Sequence, residues 1–123
     1  MQIQFWAATD VGKTRDHNED NFLVDRKLNL FIVADGMGGH AAGEIASSVA
    51  VHEVRKVLTD QREVVESYAR SGSVLLRQTV LALIERAISQ ACSRVYQLAQ
   101  EDSERRGMGT TLSMLLIAKN RGF

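Results

Sequence analysis

Residues 74–101 show the strongest periodicity in the chain, and this feature restricts the fold more than any other. Apolar residues recur there at intervals of three and four, the spacing that places side chains on one face of an α-helix. The positions that follow this rule are Leu76, Val80, Leu83, Ile84, Ala87, Ile88, Ala91, Val95 and Leu98. The pattern predicts a long amphipathic helix, whose apolar face must be buried against another layer of structure.

Two apolar runs nearer the N-terminus are typical of a β-hairpin. Residues 21–25 and residues 28–34 form these runs, and the charged pair at 26–27 separates them. The second run is almost entirely apolar, which predicts a buried central strand. We expect this strand to end at the glycine-rich turn of residues 35–39.

Four further segments complete the predicted order of elements. Residues 3–10 alternate between apolar and polar side chains, and residues 110–118 are apolar and rich in strand-forming residues, so both are predicted strands. Residues 41–58 have an apolar helical face, and residues 59–73 form a polar connection with the possibility of some helix. The predicted order is β-β-β-α-α-β, an α+β fold with a mainly antiparallel sheet and two helices on one face.

The composition is that of one globular domain. A chain of 123 residues, 45% of them hydrophobic, can bury a single core but not two. Lys and Arg together number 15, as do Asp and Glu, so no net charge attracts nucleic acid or a membrane surface. The single cysteine, Cys92, excludes an internal disulfide. Because we find no signal peptide and no apolar run near the roughly 20 residues of a membrane span, we expect a cytoplasmic protein.

Residues 10–21 are polar and lack a period, so they are predicted to form a loop or strand extension that carries chemistry. This segment supplies Arg15, Glu19 and Asp20, and the central strand ends in Asp35 and Gly36. Carboxylates and an exposed backbone carbonyl are the oxygen ligands that Mg²⁺ and Mn²⁺ prefer. An arginine beside a carboxylate-bound metal can hold two phosphate oxygens while the metal holds a third. These residues together predict a divalent-metal and phosphate site.

Each of these residues alone also has an ordinary structural explanation. Glu19 and Asp20 could lie in a solvated loop, Arg15 could form a surface ion pair, and Asp35 could end a strand. Their joint spacing favours the metal site. Residues 36–41 also match the dinucleotide fingerprint G-x-G-x-x-G/A, but Asp35 would place a negative charge against the pyrophosphate. No second parallel strand is predicted after the helix either, so we reject that interpretation.

Three motifs of the chain resemble those of the protein phosphatase 2C family, in its bacterial form. The motifs are DVGKTR and NED within residues 10–20, FIVADGMGG at residues 31–39 and GMGTT at residues 107–111. Their order and spacing extend the resemblance over nearly the whole chain. The resemblance implies part of an αββα sandwich and a metal-dependent protein serine/threonine phosphatase with two Mn²⁺ or Mg²⁺ ions.

The resemblance also implies a role for each candidate residue. Asp35 would bridge both metal ions, and Glu19 and the Gly36 carbonyl would hold the second one. Asp20 would orient metal-bound water, and Arg15 would grip the substrate phosphate. The reaction it implies is in-line attack of a metal-bridging water on the phosphorus of phosphoserine or phosphothreonine. The implied partner is a phosphoprotein that a serine/threonine kinase has modified.

The chain departs from the family pattern in two respects. Eukaryotic members have a histidine directly after Asp-Gly, where this chain has Met37, so His40 is the candidate general acid. The family domain is also about twice as long as this chain, and its remaining metal aspartates would follow residue 123. We therefore interpret residues 1–123 as the N-terminal portion of one catalytic domain, expected to be inactive alone.

Two further expectations follow from this partial coverage of the family domain. The alternative to an enzyme is a non-catalytic module that binds metal or a phosphoprotein. The predicted strand at residues 110–118 is apolar on both faces, and in a half-domain one face of its sheet would be uncovered. Because open apolar sheets recruit other chains, we expect self-association.

Overall fold

The predicted hairpin is present in the computed structural model, which describes residues 20–39 and 41–123. Strand β1 is Asp20–Asp25 and strand β2 is Leu30–Met37, and the two pair antiparallel. The strand predicted at residues 3–10 lies outside the described residues. The hairpin provides two neighbouring strands of the sheet, and the prediction of a central strand is confirmed because β2 is paired on both sides.

Strand β2 differs from the predicted run of residues 28–34 at both ends. Leu28 and Asn29 belong to the turn, where the Asp25 carboxylate accepts hydrogen bonds from two backbone N–H groups at 2.9 and 3.1 Å. Asn29 adopts a φ of 54°, a left-handed conformation that asparagine tolerates better than most residues. At the other end the strand continues through Met37. The turn therefore comprises residues 26–29, not only the charged pair at 26–27.

The rest of the sheet comes from the C-terminal part of the chain. Strands β3, Gly109–Thr110, and β4, Ser113–Ala118, both pair with β2, and β5, Arg121–Gly122, pairs with β4. The strand order is β1-β2-β4-β5, with β3 beside β2, and every pairing is antiparallel. The single strand predicted at residues 110–118 is thus interrupted at 111–112. The predicted order of elements ended with this strand, but β5 follows it.

The described part of the chain contains three helices where two were predicted. They are α1, Ala42–Asp60, α2, Arg62–Ser71, and α3, Val74–Glu101, with a short 3-10 turn after α3. Helix α3 has the predicted bounds, and α2 occupies most of the polar connection predicted at residues 59–73. None of the helices in the described part of the chain has the length and apolar composition needed to cross a membrane.

All three helices lie on one side of the sheet. Helix α1 contacts β1 and β2, α2 contacts β4, and α3 packs on α1 and α2. The sheet residues buried beneath them are Leu30, Ile32, Ala34, Leu116 and Ala118. Alanines on the buried sides of α1 and α3 allow the two helices to approach closely; these are Ala46, Ala50, Ala87 and Ala91. This is the predicted α+β arrangement, an antiparallel sheet with its helices on one face.

The opposite side of the sheet, which we call the outer face, carries exposed apolar side chains. Phe22 on β1 is 40% exposed, Val33 on β2 is 58% exposed, and Leu115 on β4 is 44% exposed. These three strands are neighbours in the sheet, so the residues form one patch. A contiguous apolar patch on a sheet is unusual on a monomer and is typical of a surface that binds another surface.

Gly38 joins β2 to α1 in a conformation that requires glycine. Its φ is +148°, and an added Cβ would lie 3.0 Å from the Ala42 Cβ and 3.3 Å from the Met108 Cβ. The neighbouring Gly39 has nothing within 4 Å of the same position. Gly38 therefore allows the close contact between the end of β2 and the first turn of α1.

We predict that Gly38→Ala lowers the free energy of unfolding by about 1–3 kcal/mol, because it adds backbone strain at a positive φ and a Cβ contact of 3.0 Å that is tighter than ordinary van der Waals contact. Gly39→Ala is the matched control and should change that free energy by about 1 kcal/mol or less. Urea unfolding followed by circular dichroism measures both. Equal effects of the two substitutions would show that Gly38 is not under this constraint.

We also predict that the chain self-associates through the outer face at micromolar concentration. Val33→Lys should weaken the association about tenfold or more, because it replaces apolar area that burial would stabilise with a charge. The matched control is Leu75→Lys on α3, where Leu75 is 71% exposed but lies away from the sheet. Sedimentation velocity decides the question. A 13.6 kDa wild-type monomer, or dissociation by Leu75→Lys alone, would contradict the prediction.

Candidate metal centre

The hairpin register brings Asp20 and Asp35 side by side on the outer face. The two residues are Cα partners in the β1–β2 pairing, and both are exposed. The backbone of β2 shows which kind of pair they form. The carbonyl oxygens of Asn29 and Asp35 accept hydrogen bonds from the β4 side of the sheet, at 3.0 and 2.9 Å. Odd-numbered residues of β2 thus bond away from β1, so Asp20 and Asp35 are a non-hydrogen-bonded pair, in which side chains approach most closely.

Two carboxylates in such a pair form a strongly anionic position. Like charges directly opposite each other destabilise a sheet unless a positive charge compensates them. A divalent cation supplies that charge and takes carboxylate oxygens as ligands. Asp20 and Asp35 therefore fit one side of a Mg²⁺ or Mn²⁺ site by their position, exposure and chemistry.

Gly36 adds a backbone oxygen on the same edge of β2. It follows Asp35 within the strand, is buried and pairs with Thr110 of β3. Because the peptide groups of a strand alternate in direction, the Gly36 carbonyl is directed to the β1 side, whereas the Asp35 carbonyl is directed to β3. The oxygen of Gly36 is thus not used in the pairing with β3. This is the backbone group that the sequence predicted as a ligand.

Thr111 holds the backbone of Asp35 from the opposite side. Its N–H donates to the Asp35 carbonyl oxygen at 2.9 Å, and its hydroxyl accepts from the Asp35 N–H at 3.1 Å. The residue lies between β3 and β4, at the interruption in that part of the sheet. The position of Asp35 is therefore determined by β1 on one side and Thr111 on the other.

The structure brings some of the predicted site residues together and leaves others outside its description. Asp20, Asp35 and Gly36 lie at one end of the hairpin. Arg15, Glu19 and His40 lie outside the described residues. Within residues 20–39 and 41–123, no group of three or more His, Cys, Asp or Glu side chains is arranged to hold a metal ion.

The predicted local structure around Asp35 was wrong in one respect. The sequence placed Asp35 and Gly36 in a turn after the central strand, but both are paired residues of β2. The turn begins only at Gly38, because β3 extends the pairing of β2 to Met37. The backbone of Asp35 is therefore held by its pairing with β1 on one side and by Thr111 on the other, which is a firmer support than a turn.

Sequence reasoning missed the role of Thr111. The strand-forming composition of residues 110–118 predicts only that Thr110 and Thr111 begin a strand, because threonine is common in strands. The signal that could have indicated more is the adjacency of two hydroxyls after GMG, since threonine hydroxyls often bond to nearby backbone groups. The register that places Thr111 opposite Asp35 cannot be read from that pattern.

An apolar groove of about 530 Å³ lies beside this region, between α1, α3 and β3. Its lining includes Cys92, Tyr96, Met108 and Leu112 and contains no carboxylate. The groove therefore lacks the carboxylates that a Mg²⁺ or Mn²⁺ site requires, and neither Asp20 nor Asp35 lines it.

Comparison with known proteins agrees with the resemblance seen in the sequence motifs. The sequence profile described as protein phosphatase 2C matches residues 12–123. The serine/threonine phosphatase Stp of Listeria innocua is 33% identical over 124 residues, which cover 98% of this chain and 44% of that protein. The protein phosphatase PhpP of Streptococcus pneumoniae is 37% identical over 127 residues, covering 97% of this chain and 45% of that protein. The chain thus spans less than half the length of these two relatives.

Solved structures show the same fold. The catalytic domain of the serine/threonine protein phosphatase PstP, in complex with two manganese ions, superposes with a TM-score of 0.69 at 32% identity. The match covers 92% of this chain and 42% of that domain. The profile match over residues 12–123 and the shared fold lead to one assignment: this chain belongs to the protein phosphatase 2C family.

Proposed function

We propose that this chain supplies metal- and phosphate-binding strands of a metal-dependent phosphatase that hydrolyses phosphoserine and phosphothreonine in proteins. The observation that carries the proposal is the pairing of Asp20 with Asp35 on the exposed face of the sheet, in a chain of this family. The names of its relatives, which are serine/threonine phosphatases, support the reaction class. The manganese-bound PstP structure supports Mn²⁺ or Mg²⁺ as the cofactor, with two ions in a complete domain.

The proposed metal-binding roles are those that membership of this family implies for the matching residues, and the exposed Asp20–Asp35 pair supports them. Asp35, held from both sides in β2, is the proposed bridging ligand of two ions, and Glu19 and the Gly36 carbonyl are proposed ligands of the second. When bound, the ions stabilise the charge that develops on the phosphoryl group and lower the pKa of water at the site. Asp20, on the neighbouring strand, accepts a hydrogen bond from the attacking water and so orients it towards phosphorus.

The remaining roles concern the substrate phosphate and the leaving group. The planar guanidinium of Arg15 matches two phosphate oxygens and holds the phosphoryl group beside the carboxylate pair. The departing serine or threonine oxygen needs a proton, and His40 is the proposed donor. Hydrolysis of a phosphate monoester is one of the slowest uncatalysed reactions in biology, so it requires a charge-dense site of this kind.

The proposed partners follow from this reaction. The substrate is a protein that carries phosphoserine or phosphothreonine, so a serine/threonine kinase must act before this enzyme. We place this signalling role in the cytoplasm, where one cysteine and balanced charge are typical. No feature of the sequence favours nucleic acid or a membrane as a partner.

One observation favours a second candidate function, a non-catalytic module that binds metal or a phosphoprotein. The described residues bring only Asp20 and Asp35 together, and no group of three or more ligating side chains is found among them. Two carboxylates bind one ion weakly without organising a second. The activity of the chain by itself separates the two functions.

We predict that the 123-residue chain alone has little or no phosphatase activity, because Glu19, Asp20 and Asp35 are too few carboxylates to hold two ions in octahedral geometry. The measurement is hydrolysis of p-nitrophenyl phosphate with Mn²⁺, beside a version extended to the length of the Listeria relative. Comparable turnover by the two proteins would show that the chain is catalytically sufficient. Inactivity of both would support the non-catalytic module.

In the extended, active form, Asp35→Asn should abolish turnover above background, because an amide is a neutral and poorer ligand than the bridging carboxylate. Asp60→Asn is the matched control, since Asp60 is exposed at the end of α1, and it should leave kcat and KM unchanged. Steady-state kinetics with a phosphoserine peptide measures both variants. Normal turnover by Asp35→Asn would remove Asp35 from the metal site.

Arg15→Ala should raise KM for the same peptide about tenfold or more, the effect expected on losing charge-assisted hydrogen bonds. It should lower kcat less if the arginine holds substrate and transition state alike. An unchanged KM would show that Arg15 does not bind the substrate phosphate before reaction.

A further inference from the structure

The sheet is interrupted at one position, directly opposite the proposed bridging ligand. Strand β4 pairs with β2 from Leu30 to Val33, and β3 pairs with β2 at Gly36 and Met37, in the same register. A continuous strand in this register would have placed Thr111 opposite Asp35 as an ordinary partner. The interruption therefore leaves Thr111 opposite Asp35 but changes the hydrogen bonds between the two residues.

The hydrogen bonds show what replaces the regular pairing. In an ordinary antiparallel pair of this kind, two residues exchange N–H to carbonyl bonds in both directions. Here the Thr111 N–H donates to the Asp35 carbonyl at 2.9 Å, but the Asp35 N–H donates to the Thr111 hydroxyl at 3.1 Å. The same hydroxyl lies 3.4 Å from the Asp35 carbonyl oxygen. A side chain thus takes the place of a backbone carbonyl.

The adjacent threonine satisfies the carbonyl that this exchange displaces. The Thr110 hydroxyl donates to the Thr111 carbonyl oxygen at 2.7 Å. An unsatisfied carbonyl would oppose the irregular geometry, because losing a hydrogen bond without a replacement is costly. The two hydroxyls therefore act together. The Thr111 hydroxyl accepts the hydrogen bond from the Asp35 N–H, and the Thr110 hydroxyl donates to the Thr111 carbonyl, which would accept that bond in a regular sheet.

We propose that Thr111 is a positioning residue for Asp35, and that its hydroxyl fixes the backbone from which the Asp35 carboxylate projects. This inference rests on the proposed function only where it links Asp35 to a metal ion. The N–H and the carbonyl of Asp35 are both hydrogen-bonded to Thr111. Removing the hydroxyl therefore removes one of these two bonds and loosens the backbone that carries the proposed metal ligand. A metal site tolerates little displacement of its ligands.

The test uses a pair of substitutions that separate the hydroxyl from the shape of the side chain. Thr111→Val keeps the branched shape and removes the hydroxyl, whereas Thr111→Ser keeps the hydroxyl. Thr79→Val is the matched control, because the Thr79 hydroxyl donates to the Leu75 carbonyl within α3 at 3.0 Å, far from the site. All four proteins are the 123-residue chain.

Two readouts apply, neither of which is enzyme activity. The first is hydrogen exchange of the Asp35 amide by NMR, which Thr111→Val should accelerate about tenfold through loss of its acceptor. The second is the dissociation constant for Mn²⁺ by titration calorimetry, which should rise about fivefold to tenfold in Thr111→Val. Thr111→Ser and Thr79→Val should remain within about twofold of the wild type in both measurements.

Each outcome decides the inference. Accelerated Asp35 exchange in Thr111→Val with recovery in Thr111→Ser, at a melting temperature close to that of Thr79→Val, supports it. Unchanged exchange, or equal loss in the valine and serine variants, overturns it. If the wild-type chain fails to bind Mn²⁺, the metal site of the proposed function fails, and Asp35 exchange alone still decides whether Thr111 positions that residue.

Discussion

The alternation of buried and exposed residues along β2 determines which side chains of the hairpin face the helices and which lie on the outer face. Leu30, Ile32 and Ala34 are at most 3% exposed beneath the helices, which leaves Val33 and Asp35 on the outer face. Because side chains of a strand alternate, a shift of one residue would expose the apolar set and bury the carboxylate. Burying an unpaired charge is strongly unfavourable. The hydrophobic core thus selects the register, and the register places the acidic pair on the surface.

The turn of the hairpin reinforces this register from its other end. The Asp25 carboxylate is 8% exposed, accepts two backbone N–H groups of the turn, and accepts a third bond from the Arg55 guanidinium at 3.1 Å. Arg55 lies on α1, so the turn is tied to the helix that covers the sheet. The Asp25 carboxylate is buried whereas the Arg55 side chain is 53% exposed, so the two backbone bonds are the main protection of the carboxylate against an unsatisfied buried charge. The alignment of Asp20 with Asp35 therefore depends on contacts five residue pairs away along the hairpin.

Sequence patterns predicted the features that repeat over many residues and missed those that depend on a partner. Helix α3 has the predicted bounds because its apolar periodicity is long. The sequence indicated helix α2 only weakly, because just two of its residues, Val65 and Tyr68, are buried and give little apolar periodicity. Asp35 was placed in a turn because glycine marks turns, and the pairing with β3 that extends the strand involves residues distant in sequence. The contact of Thr111 with Asp35 was missed for the same reason. The roles of all the predicted site residues remain predictions; these residues are Arg15, Glu19, Asp20, Asp35, Gly36 and His40.

The acidic pair and the apolar patch occupy adjacent rows of one surface. Phe22 and Val33 are cross-strand partners, as are Asp20 and Asp35, and successive residues on one face of a strand are about 6.6 Å apart. A surface that extends over both pairs would exclude water from the carboxylates. Electrostatic attraction between the carboxylates and a cation strengthens as water is excluded. Binding of a cation at the carboxylates and binding of a surface to the outer face are thermodynamically linked when each strengthens the other. Such linkage is reciprocal. At the proposed metal site, binding of an ion to Asp20 and Asp35 would therefore favour burial of the outer face, and burial of the outer face would favour binding of the ion.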